Sequence, residues 1–201
     1  VPKPPELPDT LLEYRNSLLQ MQGLSAEELQ QPGTRFQRAI SLFQTGQAEQ
    51  ALVELDWLND NLPEPNQLVL QFRTQVLAQL GRNEEATASF TLYQKTNADP
   101  SNLDCVKIQL AAWNNDVLAA QSAIDGAVKL HQQSSVGLYN MACAAALCGR
   151  AFRRQDAAAE ASKFETQALD LLGKAVAAGY KNAELLKKDV DFADLHKDER
   201  F

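Results

Sequence analysis

The last proline of this chain is Pro100, and the 101 residues after it contain none. Half the sequence therefore lacks the residue that most often breaks a helix. Glycine is also sparse, with nine residues scattered singly at wide intervals. Strand-like alternation is hard to find, which argues against a sheet of short hairpins. Basic residues are outnumbered: 19 Lys and Arg stand against 26 Asp and Glu, a net charge of −7. That balance speaks against broad contact with nucleic acid or an anionic membrane, both of which need clustered cations. No apolar run approaches the roughly 20 residues of a membrane-spanning helix. Cysteine is limited to Cys105, Cys143 and Cys148, an odd number. Free thiols and a reducing compartment are the expectation.

Apolar residues recur at spacings of three and four nearly everywhere, as in LLEYRNSLLQM and ALDLLGKAV. The chain is therefore expected to be almost wholly helical. Its opening, VPKPPELP, carries four prolines in eight residues and reads as a stiff extended linker (1–8). Because the chain begins at Val1, it is expected to be a piece of a longer protein or a mature form.

A repeat emerges when Gly46, Gly81, Asn115 and Gly149 are aligned, at steps of 35, 34 and 34. Each is preceded by an apolar helical segment. The first three are followed by a second segment with alanine and large apolar residues: Ala51, Leu55, Leu58 and Pro63; then Ala86, Phe90 and Tyr93; then Ala120, Ile124 and Ala127. Gly or Asn can take the left-handed conformation that ends a helix. An alanine one turn before a bulky residue lets two helices approach closely. After Gly149 the period breaks, and an Ala, Leu, Ala set returns at Ala168, Leu172 and Ala175, fourteen residues late. The intervening RAFRRQDAAAEASKFET forms helix readily and is expected to lengthen the fourth pair or add a turn beyond the stack. Its RAFRR is the one compact basic cluster, a solvated face or a partner site.

The 34-residue unit resembles the tetratricopeptide repeat (TPR), which has Gly at its turn and Ala, a bulky residue and Ala along its second helix. That resemblance implies a right-handed all-α solenoid of about four helix pairs with capping helices at both ends. The segments are 9–33 (N-terminal caps), 34–65, 66–100, 101–133, 134–181 with an insertion at 150–163, and 182–201 (C-terminal cap). Within LYNMACAAALCG, Cys143 and Cys148 then fall on slots that want small residues. Five residues of helix separate them by about 7.5 Å, too far for a disulfide, and about 140° around the axis, ill-suited to a shared metal. Packing is their expected role.

The tail carries a more specific likeness. YNMACAAAL, a lengthened connection, KAVAAGY and then Leu186, Asp189, Asp191, Leu195, Asp198 and Phe201 are similar to the C-terminal TPR region of large multidomain bacterial proteins, notably receptor-like Ser/Thr kinases. No kinase motif occurs in this chain. Gly179 should end the fourth pair and Asn182 cap the next helix, with Leu185, Leu186, Phe192 and Leu195 covering the last repeat. At the other end, Asp9 can cap a helix to about Met21, and Ser25 with Glu28 makes a capping box for a shorter one ending near Pro32. Both should pack on the first repeat, as a cap or as a degenerate further repeat.

In the family the first helix of each pair lines a concave groove. Carried onto this sequence, that register gives Phe36, Gln37, Ile40, Phe43 and Gln44 in the first unit; Gln71, Phe72, Gln75 and Gln79 in the second; Val106, Gln109 and Trp113 in the third; and Tyr139, Asn140 and Cys143 in the fourth. Aromatics among amides suit an extended peptide, with donors and acceptors for its backbone and apolar contact for its side chains. Phe36 and Phe72 have packing against the neighbouring repeat as their alternative. Lys and Arg are absent from those slots, which argues against a clamp for acidic C-termini. The resemblance implies a non-catalytic scaffold that binds a protein or peptide, with no cofactor, metal or nucleic acid, within a larger bacterial protein. The alternative is a structural module that self-associates or docks onto its own upstream domain. An enzyme would have to use a cysteine with His131 or His196, and no supporting pattern accompanies them. The expected compartment is the cytoplasm, with the periplasm as the alternative.

Overall fold

The computed structural model describes residues 9–201 except Asn97, Lys197 and the side chains of 9–12. The proline-rich linker and the capping role of Asp9 lie outside the described residues. The fold is all-α: α1 (Asp9–Met21), α2 (Ala26–Gln30), α3 (Pro32–Gln44), α4 (Ala48–Asn61), α5 (Gln67–Gln79), α6 (Asn83–Tyr93), α7 (Pro100–Trp113), α8 (Val117–His131), α9 (Ser135–Arg154), α10 (Ala158–Ala177) and α11 (Ala183–Lys188), then a 3-10 turn, Val190–Phe192. No strand occurs among the described residues.

Local chemistry sets the boundaries. Ser25 and Glu28 cap α2 reciprocally, Asn66, Asp99, Asp116, Ser134 and Asn182 accept first-turn N–H groups with their side chains, and Pro32 and Pro100 open α3 and α7. Four long-helix hairpins share one stop signal. Gly46, Gly81, Asn115 and Asp156 all have positive φ. The next residue in each case donates to a carbonyl five back: Gln47 to Leu42 (2.8 Å), Arg82 to Leu77 (2.9 Å), Asp116 to Ala111 (2.9 Å) and Ala157 to Phe152 (2.9 Å). This paired bonding satisfies carbonyls that the helix end would otherwise leave open.

Asp156, not Gly149, makes the fourth turn, which corrects the sequence alignment. It comes 41 residues after Asn115, seven more than the earlier step, or about two helical turns. Helix α9 runs straight through Gly149, and α9 and α10 each reach 20 residues where α3–α8 have 11 to 15. Region 150–163 is thus two helix extensions joined by the turn. Counted from the left-handed residue, Ala51, Ala86, Ala120 and Ala161 are equivalent, and all four are fully buried. Ala168, Leu172 and Ala175 are buried too, but lie two turns further along. Gly149 has another role: a Cβ there would stand 2.8 Å from Glu165 Cγ and 3.3 Å from the Ala161 carbonyl oxygen. It lets α9 and α10 approach closely.

Helix α3 packs on α4, α5 on α6, α7 on α8 and α9 on α10; α4 meets α5, α6 meets α7, α8 meets α9; and α3, α5, α7 and α9 touch in succession. The larger core spans α7 to the tail, with Phe152 and Phe164 fully buried and stacked at 5.2 Å. A second core spans α3–α6, and Trp113 packs against both. In the first hairpin a buried Arg35–Glu54 pair (2.8 Å) links α3 to α4, with Arg35 4.0 Å over the Trp57 ring. Phe192 and Leu195 of the tail are buried on the larger core and Leu186 is partly so. Leu185 is not: it is 44% exposed and points away, because Leu186 takes the inward side of the short α11.

Candidate functional site

Eight of the expected groove residues line one cavity of about 160 Å³: Phe43, Gln44, Gln71, Phe72, Gln75, Gln79, Gln109 and Trp113. They come from α3, α5 and α7, the first helices of three hairpins, with α5 touching both of the others. Phe72 is the hub of the apolar wall, edge-on to Phe36 at 5.7 Å and to Phe43 at 6.5 Å. Such pairs contribute roughly 0.5–1.5 kcal/mol beyond area burial. Gln75 Nε2 donates to Gln109 Oε1 (3.0 Å), two positions 34 residues apart, and Gln109 Nε2 reaches Cys105 Sγ (3.2 Å). Tyr93 OH donates to Gln71 Oε1 (3.3 Å). Gln44 and Gln79 make no side-chain hydrogen bond among the described residues, so their amides are free to bond a ligand backbone.

The remaining expected residues are elsewhere. Gln37 is exposed and Ile40 half-buried on α3, outside the cavity. Val106 is buried with Leu70 and Tyr93 in a small core of its own. Asn140 donates to Ser101 Oγ (2.8 Å) and Asn102 Oδ1 (3.1 Å), tying α9 to α7. Tyr139 is buried, stacked on Tyr180 at 4.2 Å, and donates to Asp189 Oδ2. Burial, followed by that hydrogen bond, pushes its hydroxyl pKa far up. Cys143 is buried beside the same carboxylate. The fourth unit is therefore closed as a groove, because the C-terminal segment folds back over α9.

That fold-back supplies what the sequence register missed. Leu147, Arg150, Arg154 and Asp191 complete the cavity lining. Arg150 and Arg154 come from RAFRR, on the stretch of α9 that the extra turns create, so the cleft carries cations although the slots named by the register hold none. Arg150 donates to Asp194 Oδ2 (2.9 Å) and to the carbonyls of Val190 (2.7 Å) and Asp191 (3.3 Å), pinning the tail. Asp191 is raised to about 7, by burial first and then by the charge of Asp189, with Arg150 opposing. The broken period and the basic cluster were the available signals; their convergence was not readable. Tyr14 of α1 is also raised, by burial and then by Asp189 and Asp191. Helix α1 packs on α3, which both the cap and the degenerate-repeat readings expect, and it also brings Tyr14 within the field of the C-terminal segment.

Cys143, Asp189 and Asp191 place possible ligand atoms within 4.8 Å of one another. Both oxygens of Asp189 are already engaged, by the Tyr139 hydroxyl and the Asp191 N–H (2.9 Å), a structural role as a cap. Burial comes first among the causes that raise all three thiols, Cys105 to about 12, so none is poised as a nucleophile. His131 Nε2 lies 2.9 Å from Asp104 Oδ2 and the His196 ring sits 4.7 Å from Phe201. Among the described residues neither imidazole is bonded to a thiol. No family model, curated protein or solved structure matches the chain.

Proposed function

We propose that α3–α10 form a right-handed solenoid of four TPR-type pairs, and that its concave face binds an extended segment of another protein without catalysing a reaction. The supporting observation is the convergence of Phe43, Gln44, Gln71, Phe72, Gln75, Gln79, Gln109 and Trp113 on one cleft from three consecutive hairpins. Apolar walls and open amides are the two things a main chain with occasional large side chains needs. On this reading the chain is a recruitment module of a larger bacterial protein. Among the described residues, no helix is long and apolar enough to cross a membrane.

The test is site-specific photo-crosslinking in the native host. A benzophenone residue at Gln79, within the cleft, should capture a discrete partner peptide; one at Val53, 64% exposed on α4, should not. Capture only from Val53 refutes the groove. A second reading, self-association, draws on Leu118 and Leu130, 84% and 77% exposed on α8. It expects a dimer in sedimentation without any ligand, lost on replacing both leucines by serine.

A further inference from the structure

We propose that Arg154, where it faces Trp113 above the cleft, is a subsite for an acidic side chain of the bound peptide segment. The inference rests on the groove reading and adds the charge of the ligand. Three arginines stand together at the end of α9, and two are already committed. Arg150 pairs with Asp194 at 2.9 Å and Arg153 with Glu165 at 2.5 Å. Arg154 has no ion pair or side-chain hydrogen bond among the described residues; its defined neighbour is the Trp113 ring, 5.8 Å from the guanidinium carbon.

Its position is as informative as its lack of a partner. Arg154 lines three cavities, of about 160, 280 and 650 Å³. It is thus where the cleft, the hollow under the C-terminal segment and the trench beside the turns at Gly46 and Gly81 adjoin. The side chain is exposed, but partial desolvation and then the charge of Arg150 push its pKa down, and a carboxylate beside it would offset both. A planar guanidinium suits bidentate carboxylate binding. A small free anion would leave the Phe43, Phe72 and Leu147 walls without a role, whereas a peptide would use them. Asp191 is the one carboxylate among the cleft-lining residues; Arg150 donates to its backbone carbonyl (3.3 Å) and pairs with Asp194, so the cation left for an incoming acidic residue is Arg154.

The test uses fluorescein-labelled dodecapeptides made as pairs, identical except that Glu and Asp in one member are Gln and Asn in the other. Anisotropy titrations run on the whole chain, on Arg154→Gln and on the control Lys163→Gln. Wild type should prefer the acidic member of binding pairs by tenfold or more, as a hydrogen bond to a charged group implies. Arg154→Gln should abolish that preference while leaving the neutral member within about twofold. Arg154→Lys should restore part of it, and Lys163→Gln should change nothing. Equal binding of both members, or an equal loss in Arg154→Gln, overturns the subsite and leaves the groove standing. Binding of neither member overturns the groove itself. Full displacement of the acidic peptides by millimolar phosphate at constant ionic strength overturns the peptide assignment in favour of a small anion.

Discussion

Substituting Gly149 by alanine should destabilise the protein although it puts a better helix former inside a helix. Mid-helix Gly→Ala contributes about 1 kcal/mol in propensity. Against it, the new Cβ would lie 2.8 Å from Glu165 Cγ and 3.3 Å from the Ala161 carbonyl, the second being backbone that cannot swing away. Overpacking of this kind costs about 1–3 kcal/mol, so the expected net loss is about 1 kcal/mol. Glu165→Ala alone removes the crowded Cγ and the Arg153 ion pair, whose Arg is 55% exposed, for less than about 1 kcal/mol. In the double variant the helix gain returns without the Cγ overlap. It should exceed the sum of the single changes by about 1–2 kcal/mol. Urea unfolding followed by far-ultraviolet circular dichroism measures all four corners of the cycle. A stabilised Gly149→Ala, or additivity within about 0.5 kcal/mol, would refute the close approach of α9 and α10.

Asp156 has φ 58, so Asp156→Gly should be near-neutral while Asp156→Val should cost about 1–2 kcal/mol by the same unfolding assay, confirming where the fourth turn lies. Asp191 binds a proton up to about pH 7 in the folded state but only to about pH 4 when unfolded, so stability should fall as pH rises between those values and level off above. Asp191→Asn should flatten that slope and raise Tm at pH 8, with little change at pH 5; an unchanged slope in thermal melts sinks the assignment. Native iodoacetamide labelling should be slow at all three thiols and fast after unfolding. Rapid native labelling of Cys143 or Cys148 would contradict their burial.

The fold class was legible because helix periodicity is local: apolar spacing, Ser25 and Asn182 as caps and Gly46 and Gly81 as stops act over four or five residues. So were the three hairpins whose left-handed residue is Gly or Asn. The fourth misled because its turn uses Asp156, a residue that tolerates positive φ less often, while a glycine sat at the expected spacing for a different reason. Whether a glycine ends a helix or admits a neighbouring one depends on what packs against it, and only α10 decided that for Gly149. Register alone named Phe43, Gln44, Gln71, Phe72, Gln75, Gln79, Gln109 and Trp113, which share one cleft, but it also named Gln37, Ile40 and Val106, which lie outside it. Tertiary structure decided the rest, by folding Asp189 to Leu195 over Tyr139 and Cys143. The same folding brought Arg150 and Arg154, carried on two extra turns, to residues more than 100 positions earlier. Local sequence sets where helices start, stop and face. The long-range placement of a lengthened helix and a tail comes from burying Phe164, Phe192 and Leu195 together, which no local pattern encodes.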